Sequence, residues 1–245
     1  MIRRNISQKQ SDETLIYHEL SHYLLCEISR RIEPNFTKPT KIKLSNIGDR
    51  AQIKGACYPN NITEEVSHDR NETMKLEKEF FIENTDRIFL KTIQLACGYL
   101  SSTIFVFTDH LDYFINHHEY LTKEGNGSFI IYFYELIEEL DKEKMNSDFE
   151  MINKNWANLG IELKPKEWEL ITKYTKNILD FNPIKSVIKE CFKFCMNLKK
   201  DSSFIIEGMN LLALESHVDS LLSDNIIKFY KENLDDFIKK MNPLA

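Results

Sequence analysis

The amino-acid sequence predicts a mainly α-helical fold, with a small β-hairpin near the N-terminus and a helical bundle in the C-terminal part. The 245 residues include only 7 Gly and 6 Pro, so the chain is poor in residues that favour turns. Apolar residues recur at helical spacing over most of the chain, and two short segments after residue 40 read as strands. We expect a single domain, 1–245, with two halves, 1–160 and 161–245.

Composition and charge limit the kinds of partner that we expect this protein to bind. Apolar residues make up 42% of the chain and charged residues 29%, as in an ordinary soluble globular protein. The net charge of -6 gives no reason to expect nucleic acid or an anionic membrane surface as a partner. No apolar run approaches the roughly 18 residues that span a bilayer, and no apolar signal core follows Met1–Asn5. The five cysteines are odd in number and scattered, which suits free thiols, so we expect a cytoplasmic protein.

The first predicted helix begins near Ser11, where Ser-Asp-Glu resembles a cap and an acidic first turn. The run that follows contains His18, Glu19 and His22 in the pattern H-E-x-x-H, the zinc signature of metallopeptidases. Burying these polar side chains is costly without partners, which favours a metal site. Six apolar residues around the motif have the spacing of a buried helix: Leu15, Ile16, Leu20, Tyr23, Leu24 and Ile28.

The spacing of this motif explains the chemistry that it predicts. His18 and His22 lie four residues apart on one face of the helix, so both imidazoles can point at one metal ion. Glu19 lies one step round the helix, where it can take a proton from a water that the metal activates. The alternative is an ordinary helix whose polar residues face solvent.

A β-hairpin is predicted after the first helix. Residues 41–45 alternate as a strand does, the next four favour a turn, and residues 52–57 read as the returning strand. An extended peptide could pair with that second strand. Residues 59–78 are polar and are predicted to form a loop. Ile88–Phe107 is predicted to be a buried helix, with small residues next to Gly98 where another helix could approach closely.

The rest of the chain is predicted to be largely helical. Asn146–Glu150 resembles the start of one helix. Apolar stripes that include Met209 and Leu212 are assigned to the core, as are Cys191 and Cys195, which lie four apart on one helix face. The four C-terminal helices are predicted at Glu167–Leu179, Ile184–Leu198, Ser203–Leu222 and Asn225–Met241.

A third metal ligand does not lie close to the motif. A catalytic zinc takes three protein ligands and keeps one position open. A short-range third histidine would require Gly and His where the chain has Leu25 and Ile28, and no Glu occurs between 34 and 63. The ligand must therefore come from farther along the chain. His110 and His118 stand in segments of metal-binding residue types, although a polar surface between helices also accounts for those segments.

The order of the motifs resembles the peptidase domain of FtsH-type ATP-dependent zinc metalloproteases, over roughly residues 10–215. The segments that carry the resemblance are Tyr17–His22, Lys41–Leu44, Leu95–Ser101 and Ser147–Glu150. In that family a Y-H-E-x-G-H helix, a small sheet and a helix with small residues are followed by an Asp after Ser or Asn.

The resemblance implies a zincin-like domain that is mainly helical and has a small sheet. It implies that His18, His22 and Asp148 bind Zn2+ and that Glu19 is the catalytic base. The substrate would be a peptide or an unfolded protein. If Asp148 is instead an ordinary acidic residue at a helix N-terminus, favoured there by the helix dipole, the reserve candidates for the third ligand are His110, His118 and Glu139.

The sequence departs from the family in several ways, among them a longer segment between Gly98 and Asp148 and no apolar run that would serve as a membrane anchor. Ser21 stands where the family has Gly before the second His, and the residues after Gly98 lack the acidic pair of the family. No G-x-x-x-x-G-K-[ST] motif is present, so we expect no ATPase within this chain. A separate ATPase partner or a homo-oligomer is therefore an expectation of the resemblance.

Three functions remain open from the sequence. The first is a stand-alone zinc metallopeptidase with Glu19 as the base. The second is a catalytically inactive zinc-binding scaffold or protein-interaction module of the same fold. The third is a metal-free helical interaction protein in which the H-E-x-x-H pattern is accidental.

Overall fold

Seven helices and three short strands make up the part of the chain that the computed structural model describes, which is residues 8–45, 54–59, 86–106, 142–199 and 203–241. The prediction of a mainly helical chain with a small sheet is confirmed for these residues. None of their helices combines the length and the apolar character needed to cross a membrane. The helices are α1 (Gln8–Ile32), α2 (Asp86–Phe105), α3 (Lys142–Asn158), α4 (Pro165–Asp180), α5 (Asn182–Leu198), α6 (Gly208–Leu221) and α7 (Asp224–Met241). The strands are β1 (Pro39–Ser45), β2 (Lys54–Pro59) and β3 (Phe204–Ile206).

Helix α1 lies at the centre of the fold. It packs against α2, α5, α7 and the strands β1 and β2. The apolar stripe predicted for it is confirmed, because all six of its apolar positions are buried. The predicted start at Ser11 is wrong, because the helix already includes Gln8 and Ser11 lies inside it. The segment before Ser11 extends the helix by a further turn, which the local cap signal did not indicate.

The sheet has the order β2-β1-β3 and is antiparallel throughout. The β1–β2 hairpin is confirmed for the residues described, and residues 52–53 of the predicted second strand lie outside them. Strand β3 corrects the prediction that Ser203–Leu222 is one helix. Ile206 pairs with Ile42 of β1 and is fully buried, so tertiary pairing overrides the helical periodicity there. The helix begins only at Gly208.

The remaining C-terminal helices lie within three residues of their predicted bounds. Cys191 and Cys195 are fully buried, as predicted. In α6, however, Met209 is 79% exposed and Leu212 is 52% exposed, so assigning them to the core was wrong. The turn after β3 rotates α6 so that a different stripe faces inward: Leu211, Leu214 and Val218.

Helix α3 is fixed against α2 by a buried polar contact. The Trp156 indole Nε1 donates a hydrogen bond to Thr92 Oγ1 at 2.9 Å, and the Trp156 ring meets Phe89 edge to face at 5.2 Å. Trp156 and Asp148 lie eight residues apart on α3, about 12 Å along the helix. The contact with α2 therefore helps to set where Asp148 lies.

Candidate metal centre

The two histidines of the motif lie side by side on α1. The two Nε2 atoms of His18 and His22 are 3.0 Å apart, and the rings meet edge to face with centroids 4.6 Å apart. This is the geometry expected for residues one helical turn apart that direct the same ring nitrogen at one point. His22 is buried, whereas the side chain of His18 keeps 14% of its surface exposed.

The third member of the site comes from α3. Asp148 Oδ2 lies 3.2 Å from the Nε2 atom of His18 and 3.2 Å from the Nε2 atom of His22. The three atoms form an almost equilateral triangle, and these residues form a group that could hold a metal ion. We call His18, His22 and Asp148 the metal triad.

Hydrogen bonds within the metal triad leave one buried oxygen atom without a well-oriented partner. Asp148 Oδ2 is buried and accepts no well-oriented hydrogen bond, although two imidazole nitrogens lie close to it. A buried oxygen of this kind is costly unless something else completes its shell. The converging nitrogen lone pairs and carboxylate oxygen are donors that a divalent cation would satisfy.

Electrostatics at the metal triad also favours a cation. Burial raises the pKa of Asp148, but the adjacent His22 and His18 outweigh it and hold that pKa well below its usual range. Burial lowers the pKa of His22, but the negative charge of Asp148 outweighs it and brings that pKa well above its usual value. The Asp148 carboxylate is thus ionised, and its negative charge favours a positive charge at this buried site.

The other ring nitrogen of His22 is fixed by α2. His22 Nδ1 lies 2.6 Å from the backbone carbonyl oxygen of Gln94, and because a carbonyl only accepts, Nδ1 carries the proton. This leaves the Nε2 lone pair free to face the triad. Cys97 Sγ lies 3.7 Å from the same Nδ1 and donates to the same Gln94 oxygen at 2.9 Å. Such support of a metal-binding histidine is the usual arrangement in proteins.

Sequence reasoning missed the support of His22. The acceptor is a backbone carbonyl, which leaves no signal in the amino-acid sequence. Burial raises the pKa of the Cys97 thiol, so Cys97 is a neutral hydrogen-bond donor here and is not part of the metal triad.

Glu19 is buried, with 4% of its surface exposed, and it does not belong to the metal triad. Burial raises the pKa of Cys57 on β2, and the charge of Glu19 raises it further. Glu19 is therefore close to Cys57 of β2.

An aromatic stack lies next to His18. The ring of Tyr17 is stacked between Phe105 of α2, with centroids 4.8 Å apart, and Phe192 of α5, with centroids 4.5 Å apart. Aromatic side chains lose little conformational entropy when they become ordered, and stacked rings stabilise the packing around them. The stack ties three helices together beside the more exposed of the two histidines, a role that sequence reasoning did not assign to Phe105 or Phe192.

Asp148 is placed differently in its helix from the sequence expectation. Asn146–Glu150 was predicted to start a helix, but α3 already includes Lys142, so Asp148 lies inside it and not in its first turn. Its carboxylate faces the two imidazoles. The reserve candidates His110, His118 and Glu139 lie outside the described residues, as do residues 60–78 of the loop predicted at 59–78 and the polar segment at 108–128, whereas Pro59 ends strand β2.

The site is thus built from three elements, with two histidines from α1, one aspartate from α3 and the supporting carbonyl from α2. Comparison of the chain with protein-family models, with curated proteins and with solved structures gives no significant match.

Proposed function

We propose that this protein is a zinc metallopeptidase in which His18, His22 and Asp148 bind Zn2+ and Glu19 is the catalytic base. One observation carries the proposal. The donor atoms of an H-E-x-x-H helix and of a distant aspartate converge in a triangle with sides of 3.0, 3.2 and 3.2 Å. Ligand atoms held about 2.0–2.1 Å from a tetrahedral zinc lie roughly 3.4 Å from one another. The triangle is close to that size.

Charge supports the choice of a divalent cation. The Asp148 carboxylate is buried beside the two imidazoles and is the anionic member of the metal triad. A cation of charge +2 held there would interact favourably with it. Bound there, zinc would polarise the carbonyl of a peptide bond and lower the pKa of a water molecule to about 7.

The residues of the chain supply the remaining steps. Asp148 and the two imidazoles fix the position of the cation, and the Gln94 carbonyl keeps the proton of His22 on Nδ1. Glu19 accepts a proton from the attacking water and passes it to the leaving amine. The more open side of His18 is where a substrate would enter.

The hairpin offers a place for an extended substrate. Strand β2 lies at one side of the described sheet and packs against α1, which carries Glu19. A peptide that pairs with β2 would gain backbone hydrogen bonds without regard to its sequence. This arrangement suits a peptide or an unfolded protein as substrate, and it matches the resemblance to FtsH-type peptidase domains, which we retain as part of the proposal.

Metal content and cleavage test the proposal together. The purified protein should contain about one zinc per chain and should cleave unfolded casein until a chelator is added. Glu19→Gln should keep the zinc and lose cleavage. Glu13→Gln on the same helix, where Glu13 pairs with Lys9 at 3.7 Å, is the matched control and should keep both. Normal cleavage by Glu19→Gln would show that the mechanism is wrong.

An inactive zinc-binding scaffold is the alternative function. It is favoured by the stretch after Gly98, where the family has an acidic pair and this chain has none. In that case Glu19→Gln changes nothing measurable, while His18→Ala still costs stability because the zinc is lost. His217→Ala on α6, whose ring stacks on Phe194, is the matched control for a histidine deletion away from the site. If the protein binds no zinc even after reconstitution, a metal-free interaction protein becomes the better description.

A further inference from the structure

Gly98 of α2 faces the two histidines directly. A Cβ atom added at Gly98 would lie 2.5 Å from His22 Nε2, 2.6 Å from His18 Cε1 and 2.7 Å from His22 Cε1. Contacts of that length essentially never occur for real Cβ atoms. One face of the metal triad therefore lies against a backbone position that has no side chain.

The reason for glycine at this position is space. Gly98 lies within α2 and needs no left-handed backbone. Gly160 and Gly208 are the opposite case, because their φ angles are +79° and +54° and a Cβ at either would meet nothing within 4 Å. Gly160 and Gly208 allow a positive φ angle, whereas Gly98 leaves space for the two imidazoles.

The groups that would yield to a larger residue are the metal ligands themselves. Ordinary van der Waals contact begins at 3.4 Å, so His22 Nε2 would have to retreat by about 0.9 Å from an added Cβ. The imidazoles can retreat by turning about their side-chain bonds, so the helices need not move. Metal ligands, however, must stay within about 0.2 Å of their proper distances. A small steric change at Gly98 therefore spares the fold and separates the three donor atoms.

We infer that Gly98 is a positioning residue of the metal centre, because only glycine leaves room for His18 and His22 to face Asp148 together. The inference rests on the proposed metal site and adds a requirement from α2 that the H-E-x-x-H motif does not contain. It also explains the small residues of α2. The sequence suggested that another helix approaches closely there, and the nearest atoms are in fact histidine side chains of α1.

Zinc affinity of Gly98→Ala is the first test. The full-length variant is stripped, reloaded with Zn2+ and titrated against a chromophoric chelator, and Co2+ loading reports the coordination geometry from its visible spectrum. We expect the affinity for zinc to fall by at least about 100-fold and the tetrahedral cobalt spectrum to be lost. Gly160→Ala is the matched control. It should lower the melting temperature, because alanine is strained at a φ angle of +79°, and keep zinc affinity unchanged. Wild-type zinc affinity in Gly98→Ala would overturn the inference.

A mutant cycle measured by thermal unfolding without metal, which we call the thermal cycle, gives a second readout. Gly98→Ala is made in the wild type and in a His18→Ala, His22→Ala background, and all four proteins are melted in chelator. Without the imidazoles the three nearest atoms are absent, and alanine is the better helix former, so the substitution should raise the melting temperature by about 2 °C. With the imidazoles present it should not raise it. An equal effect in both backgrounds would overturn the inference.

The two readouts separate this inference from the proposed function. If the wild type itself binds no zinc, the proposed metallopeptidase is wrong, and the thermal cycle still decides whether Gly98 makes room for the histidines. If the wild type binds zinc and Gly98→Ala binds it equally well, the proposed metal site is supported and the role inferred for Gly98 is wrong.

Discussion

Two buried polar clusters lie on the same helix and are completed in different ways. Near the middle of α1, His18 and His22 meet Asp148, whose negative charge brings the pKa of His22 well above its usual value. One turn after His22, Glu27 is buried and meets Arg30, whose Nη1 atom lies 3.1 Å from both carboxylate oxygens. The second cluster, which we call the arginine cluster, consists of Glu27, Arg30, Arg31, Lys38, Glu215 and Asp219.

The arginine cluster supplies its own balance. Lys38 donates to both carboxylate oxygens of Glu215, at 2.8 and 2.9 Å, and Arg31 donates to the Glu27 backbone oxygen at 2.6 Å and pairs with Asp219. Burial raises the pKa of Glu27, and the charge of Arg30 partly offsets that effect. Because three acids meet three bases, this cluster needs no outside ion. The metal triad differs in that its carboxylate faces two titratable imidazoles instead of permanent cations. One helix thus carries part of a structural ion-pair network and part of a group of residues that could hold a metal ion.

The largest expected effect is on metal binding. Asp148→Ala should lower zinc affinity by more than about 100-fold, because it removes the only anionic member of the metal triad. Glu27→Gln, which removes a buried carboxylate from the arginine cluster, should leave the affinity unchanged. Chelator competition on both proteins measures the contrast. Zinc retained by Asp148→Ala would send the third ligand back to His110, His118 or Glu139.

Removal of the metal should have the next largest effect. A ligand that binds only the folded state, at a free concentration about 1,000 times its dissociation constant, stabilises the protein by about 4 kcal/mol. Urea unfolding of the wild type with zinc and with chelator should differ by roughly that amount. Asp148→Ala should show no such difference. An equal loss in both proteins would mean that the chelator acts elsewhere.

Breaking the arginine cluster should cost less and leave the metal in place. Arg30→Ala removes the Nη1 atom that lies 3.1 Å from both Glu27 carboxylate oxygens and leaves only Arg31, at 3.6 Å, beside that buried carboxylate, which should destabilise the protein by about 3 kcal/mol. Zinc content should not change. Adding Glu27→Gln to Arg30→Ala should recover part of the loss, since the stranded charge is then gone. No recovery in the double variant would show that the arginine acts through packing instead.

The smallest effect is expected at the rim of the arginine cluster. Asp219 is more than half exposed, so Asp219→Asn should change the free energy of unfolding by less than about 0.5 kcal/mol. High salt should remove even that difference, because exposed ion pairs are screened. A loss as large as that of Arg30→Ala would mean that the pair with Arg31 is far more important than its exposure indicates.

Two of the three members of the metal triad could be predicted from the sequence by helical geometry alone. His18 and His22 meet because residues four apart on a helix must meet. Asp148 is not obtainable in that way, because it lies on another helix far along the chain, and only the resemblance pointed to it. The Gln94 carbonyl left no readable signal, since it belongs to the backbone, and the small residues around Gly98 indicated a close approach without showing that histidine side chains make it.

The predictions of the fold divide in the same way, into features set by a local segment and features set by distant contacts. The helices with strong apolar stripes were predicted to within three residues at most of their ends, because periodicity depends on the segment itself. Strand β3 was missed because three residues carry too little pattern and their pairing with β1 is a long-range contact. The exposure of Met209 and Leu212 was missed for a related reason, since the turn at 207–208 sets which face of α6 points inward.

The order of the metal ligands along the chain has a consequence for biosynthesis. His18 and His22 leave the ribosome before α3 with Asp148, which follows only after a long further stretch of chain. If the metal triad binds zinc as proposed, a nascent chain that ends before α3 would hold two of the three ligands and would retain zinc only weakly. Tight capture of the metal would then begin when α3 docks, before strand β3 completes the sheet.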